Sequence, residues 1–195
     1  HEAIARGWHD HLVNSVSFSP CGSYVLSSSS DCTARIWNSE NLNLIAVLSE
    51  HTDDVSQAEY SPSGDYIATS SYDKIIRIYN SKTYYLLFEL LGHTGLIESF
   101  TWFNGSKNII SSGTDGKIIL WDIEKKKISR LLSEEGFDID TIAVTSSGKL
   151  VVGDDTGTIT LYCENLSLMS KALLHSAGIK DIFCSPDSEN ICSLG

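Results

Sequence analysis

The chain has 195 residues, 42% of them hydrophobic and 20% charged, and a net charge of −11 from 14 basic and 25 acidic side chains. That balance argues against a nucleic-acid surface, which needs clustered Lys and Arg, and the one basic run, Lys125-Lys126-Lys127, reads as a solvated turn. The longest apolar runs, such as Ile118–Trp121, are far too short for a membrane-spanning helix.

In chain order, the opening HEAIARGWHD lacks the basic-then-apolar build of a secretory signal, and Ala3–Gly7 reads as the last strand, d, of a preceding repeat. From His9 the chain repeats itself. The first copy runs from His9 through VNSVSFSPCGSYVLSSSSDCTARIWN, and the second from His51 through VSQAEYSPSGDYIATSSYDKIIRIYN. The third runs from His93 through IESFTWFNGSKNIISSGTDGKIILWD. In each, His precedes an apolar strand start by 4 residues and an Asp by 22, and that Asp precedes an aromatic residue by 6. The period from His9 to His51 to His93 is 42, and three spacings held over three copies exclude coincidence.

Within a copy the apolar residues alternate with period two, as in Val16/Phe18 and Tyr24/Leu26, which predicts strands and no helix longer than one turn. Turn chemistry at Pro20-Cys21-Gly22, Pro62-Ser63-Gly64 and the recurring Asp punctuates them. The first copy divides into strands a (Val13–Ser19), b (Tyr24–Ser28), c (Ala34–Asn38) and d (Leu44–Leu48), and the chain as a whole into about seventeen. A worn fourth copy, IDTIAVTSSGKLVVGDDTGTITLY, aligns after deletion of one residue. Glu135, Val152 and Thr156 then replace His, Ser and Asp, and Tyr162 is the aromatic residue. A fifth copy starts at His175 and reaches a strand b at Ile191–Leu194. The expected repeat units are residues 9–50, 51–92, 93–134, 135–174 and a partial 175–195 within one domain.

Cys21, Cys32, Cys163, Cys184 and Cys192 form no CxxC pair and no disulfide-like spacing. Reduced thiols, and with them an intracellular protein, either cytoplasmic or nuclear, are expected. Sequons at Asn104 and Asn165 carry little weight beside this.

A period of 42, a His before strand a, an Asp in the b–c turn and Trp121-Asp122 closing strand c resemble the WD40 repeat, with Trp37-Asn38 and Tyr79-Asn80 as variants of the dipeptide. The resemblance covers essentially the whole chain. It implies an all-β WD40 propeller of four-stranded antiparallel blades, incomplete in these residues and expected to belong to a longer, seven-bladed parent. Arg three residues after the strand-c aromatic marks the ligase receptors of this family, but Glu40, Lys82 and Glu124 stand there. The paired arginines of phosphoinositide-binding members are also missing.

The resemblance implies that His9, Ser27, Asp31 and Trp37 form a structural hydrogen-bonded tetrad, as do His51, Thr69, Asp73 and Tyr79, and His93, Ser111, Asp115 and Trp121. A Ser/His/Asp set that recurs once per unit is a building device rather than a catalytic triad, because an enzyme activates one nucleophile in one pocket. With its His, Ser and Asp replaced, the fourth blade is expected to rest on packing, and Asp155 is a weak substitute. His9-Asp10-His11 lacks a third ligand, so no metal is expected, and no phosphate-binding or hydrolase motif implies a cofactor.

In the family, partners sit over the face built by the loops entering strand a and the b–c turns. Three positions per copy map there. The first comprises Leu12, Asp54, Leu96, Asp138 and Gly178; the second comprises Asn14, Ser56, Glu98, Asp140 and Lys180. The third comprises Ser30, Tyr72, Thr114 and Asp155. This acidic set with Leu12, Tyr72 and Leu96 as apolar anchors predicts a protein or peptide partner with basic character. The expected function is a non-enzymatic interaction scaffold within a multiprotein complex. A recognition propeller attached to a catalytic or nucleotide-binding domain elsewhere in the parent is the alternative.

Overall fold

The structure, a computed structural model, describes residues 7–133, 137–185 and 190–195. Of the expected Ala3–Gly7 strand only Gly7 lies among them, and Glu135 lies outside them. The described residues form 18 strands and no helix, where the sequence predicts about seventeen. They fall into two compact units, His1–Gly92 and His93–Gly195.

The first unit holds two four-stranded antiparallel meanders. They are β1–β4 (Val13–Phe18, Tyr24–Ser29, Ala34–Asn38, Leu44–Leu48) and β5–β8 (Val55–Tyr60, Tyr66–Ser71, Ile75–Asn80, Leu86–Leu91). The second unit holds β9–β12 (Ile97–Phe103, Asn108–Gly113, Lys117–Asp122, Lys127–Ser133) and β13–β16 (Ile139–Val144, Leu150–Asp154, Thr158–Tyr162, Leu168–Leu173). The hairpin β17–β18 (Asp181–Cys184, Ile191–Leu194) completes it.

Strands b and c of each meander are buried on both faces, which explains apolar runs such as Ile75-Ile76 and Ile118-Ile119 where simple alternation breaks down. Strand d stays largely exposed at the outer edge; all six residues of β16 are. In the first unit Leu26, Ile36 and Leu48 of one blade pack against Val55, Ala58, Tyr60 and Ile67 of the next. In the second unit Ile110 and Ile118 meet Ile139, Ile142 and Val152 in the same way, and Val151 meets Ile179 and Ile182. Hydroxyls stitch the inner strands across these seams. Ser15 Oγ accepts from Ala58 N at 3.1 Å, and 84 residues on Ser99 Oγ accepts from Ile142 N at 3.4 Å.

The residue after the strand-c aromatic builds the c–d turn. Asn38 Oδ1 accepts from the backbone N–H groups of Glu40 and Asn41, and Asn80 Oδ1 accepts from Lys82 and Thr83. Asp122 Oδ1 accepts from Lys125 N at 2.8 Å. Asn and Asp share this Asx-turn chemistry, so Trp-Asn and Trp-Asp serve equally.

Candidate interaction face

The three intact copies bring their polar residues together at one end of each blade. Trp37 Nε1 donates to Ser27 Oγ at 2.8 Å, Ser27 Oγ lies 2.7 Å from His9 Nε2, and His9 Nδ1 lies 2.8 Å from Asp31 Oδ2. In the third blade Trp121 Nε1, Ser111 Oγ, His93 and Asp115 repeat the chain at 2.8, 2.8 and 3.0 Å. One tautomer satisfies every member: Nδ1–H donates to the carboxylate, while Nε2 accepts from the hydroxyl, which in turn accepts from the indole.

The second blade departs from this pattern. His51 Nε2 meets Thr69 Oγ1 at 2.7 Å and His51 Nδ1 meets Asp73 Oδ2 at 2.9 Å, but the Tyr79 hydroxyl donates to Glu50 Oε2 at 3.0 Å.

Each carboxylate also ties the loop entering strand a to the b–c turn. Asp31 accepts from Asp10 N and Thr33 N, Asp73 from Thr52 N and Ile75 N, and Asp115 from Thr94 N and Lys117 N. Burial alone would raise these acids. At Asp115 the donors from Thr94, His93 and Lys117 outweigh it and hold the carboxyl down at about 2; Asp31 and Asp73 are lowered for the same reason. Burial lowers His51 and His93 despite their acidic partners, so both imidazoles are neutral at pH 7.

Two arginines that sequence reasoning overlooked complete the first two networks. Arg35 Nη2 lies 3.1 Å from Asp31 Oδ2, and Arg77 Nη1 lies 2.6 Å from Asp73 Oδ2 while its Nε reaches Glu89 at 3.0 Å. Both stand four residues after the Asp, a recurrence visible in the sequence. Ser193 is a third omission. Its Oγ lies 2.7 Å from His175 Nε2, at the His-to-hydroxyl spacing of 18 found in the other copies.

The fourth blade corrects an expectation. Leu150 pairs with Tyr162 as Val25 pairs with Trp37, so Val152 and Thr156 do stand at the Ser and Asp positions. Packing is not its only support, however. Asp154, 6% exposed, accepts from Thr156 N, Thr158 N and Thr156 Oγ1 at 3.0, 2.9 and 2.6 Å, and so rebuilds the b–c turn. Asp155 points out and is exposed.

At this same end, all four complete blades carry a bulge on strand a. The skipped residues are Asn14, Ser56, Glu98 and Asp140, the second position of the predicted face in every copy. A bulge re-aims its side chain away from the ladder.

The other predicted positions differ in availability. Leu12 is 77% exposed, Asp138 and Asp155 are exposed, and Asp54, Tyr72 and Leu96 are half-buried. Several serve the fold itself. Asn14 Nδ2 donates to Val55 O of the next blade, Ser56 Oγ meets Ser70 Oγ, and Thr114 Oγ1 accepts from Leu96 N. Asp140 lies 3.1 Å from Lys180, so this pair is locally neutral where the sequence predicts open acidity.

Four-stranded antiparallel blades, three of them closed by a buried His–Asp network, define a blade-repeat protein. Comparison with known families finds the WD domain, G-beta repeat (WD40) at residues 5–38, 42–80 and 84–122, more than half of the chain. The chain belongs to the WD40 family, whose repeats generally mediate protein–protein interaction. No curated protein matches it. The fourth and fifth copies lie outside the matched ranges, where the His, Ser and Asp of the repeat are replaced or incomplete.

Proposed function

We propose that this chain is an interaction scaffold that receives segments of partner proteins on the blade ends built by the strand-a entry loops and b–c turns, as a subunit of a multiprotein assembly. One observation carries the reading: a bulge at the same strand-a position in four blades, beside a hydrogen-bonded His–Asp junction in three of them. Residues held by such junctions lose little freedom on binding, which leaves more of the contact energy as affinity.

The partner chemistry is basic with apolar anchors. Exposed Asp138 and Asp155 in the second unit, and exposed Asp53 and Leu12 in the first, favour a segment that carries Lys or Arg together with an apolar side chain. An intracellular setting fits the five free thiols. The recurring Ser/His/Asp sets have their polar atoms engaged in structural networks, which supports a binding role over catalysis.

Selection of peptides from a random displayed library on the immobilised chain tests the proposal. Basic–apolar sequences should be enriched, and the double substitution Asp138→Lys, Asp155→Lys should abolish that enrichment. Enrichment of acidic sequences, or indifference to the charge reversal, would overturn it.

A further inference from the structure

The opposite end of the first unit carries a cavity of about 490 Å³ between the a–b turn of the first blade and the a–b and c–d turns of the second. Pro20, Cys21, Tyr24, Tyr60, Lys82 and Tyr84 line it, and its size suits one or two inserted side chains. The rings of Tyr24 and Tyr84 pack against the core cluster that contains Tyr60. The wall is preformed: Ser81 Oγ donates to Gly64 O at 2.5 Å, Ser81 N donates to Asp65 O at 3.1 Å, and Tyr84 N donates to Asn80 O at 2.8 Å.

Tyr60 is 9% exposed, and its hydroxyl is buried without a hydrogen-bond partner. A buried hydroxyl left in this state is costly, and such groups in native proteins are almost always satisfied. The groups that bear electrostatically on it, Tyr84, Tyr24 and Cys21, all belong to the same lining. A cluster of tyrosine rings around a hydroxyl that needs an acceptor is chemically specific. It matches a ligand that is flat-sided and apolar yet offers an unpaired carbonyl.

We propose that this cavity receives a proline-containing segment of a partner protein in the polyproline II conformation, with a pyrrolidine ring among Tyr24, Tyr60 and Tyr84 and a backbone carbonyl accepting from the Tyr60 hydroxyl. Polyproline II makes no internal hydrogen bonds, so its carbonyls are free, and its stiffness lowers the ordering cost of docking on aromatic walls. The site lies at the end of the blades away from the His–Asp networks and stands or falls independently of the face proposed above.

Cys21 supplies a reporter at the lip. It is exposed, and hydrogen bonds from Ser19 and Ser23 lower its thiol to about 7, so it should alkylate readily at neutral pH. The test titrates the 195-residue chain with fluorescein-labelled decaproline and maps iodoacetamide labelling of each cysteine, with a Gly-Ser peptide of equal length as control. Decaproline should bind saturably and slow labelling of Cys21 about 3-fold or more while leaving Cys163 unchanged. Tyr60→Phe should weaken binding by about 5-fold, the loss of one hydrogen bond, without altering Cys21 labelling in the free chain. Tyr84→Asn, which removes a ring at a left-handed position (φ 61°) that Asn tolerates, should weaken it at least as much. Absence of saturable binding, equal protection by the Gly-Ser peptide, or full affinity in Tyr60→Phe would overturn the proposal.

Discussion

Truncating Ser111 to Ala in the third blade removes one oxygen that serves two buried partners. Ser111 is fully buried, Trp121 is 1% exposed and His93 is 7% exposed, so water cannot replace what is lost. The indole N–H and His93 Nε2 are both orphaned, at about 1–3 kcal/mol each, and the expected loss is about 3 kcal/mol. The second blade provides an internal control. After Thr69→Ala the Tyr79 hydroxyl still has Glu50 at 3.0 Å, so only His51 Nε2 loses its partner and the cost should be about 1–2 kcal/mol. Adding Trp121→Phe to Ser111→Ala removes the orphaned donor itself, so the double variant should be more stable than the sum of the singles by about 1–2 kcal/mol. Urea denaturation followed by tryptophan fluorescence and circular dichroism reads all of these. Equal losses for Ser111→Ala and Thr69→Ala, together with additivity in the double variant, would refute the view that these chains act as coupled networks.

Lowering the pH should destabilise the chain in two stages. Burial holds His51 and His93 neutral, so the stability they contribute is complete above the unfolded value of about 6.5 and is lost below it. Asp115, at about 2 when folded against 3.8 as a reference, adds a second loss as pH falls from about 4 toward 2. A denaturation midpoint constant from pH 7.5 to 5 would contradict this. In the worn blade, Asp154→Ala should cost about 1–3 kcal/mol by freeing two backbone N–H groups and a hydroxyl, whereas Asp155→Ala should fall within about 0.5 kcal/mol of wild type; thermal melts compare the two. Arg77→Met should destabilise by about 3 kcal/mol, because it strips a buried carboxylate of its cation, and a loss no larger than that of an exposed-surface change would count against that role.

The blades and their registers were legible because the signal is repeated. Three spacings recur in three copies, and a single deletion between Thr145 and Lys149 brings the fourth into line. The His, Ser or Thr, Asp and Trp positions followed from residue type. What escaped detection depends on geometry across strands. The bulges at Asn14, Ser56, Glu98 and Asp140 exist only in the pairing of strand a with strand b. Asp154 stands at the position of Ser29, two residues before the expected Asp, and takes over the turn by hydrogen bonds that a residue-for-residue alignment cannot show. Arg35 and Arg77 recur at a fixed offset, but their charge disguised them as surface residues, although Arg77 is 5% exposed. The Asp140–Lys180 ion pair was not legible, because the two residues, 40 apart in the chain, meet only when the fourth and fifth blades stack.

Hydrogen–deuterium exchange of the 195-residue chain with and without a selected basic–apolar peptide tests the central claim most directly. The account predicts slowed exchange at the strand-a entry loops and b–c turns, around Leu12, Asn14, Tyr72, Glu98, Asp138 and Asp155, with the outer strands β4, β8 and β16 unchanged. Protection confined to those outer strands, or to the a–b turns at the other end of the blades, would contradict it.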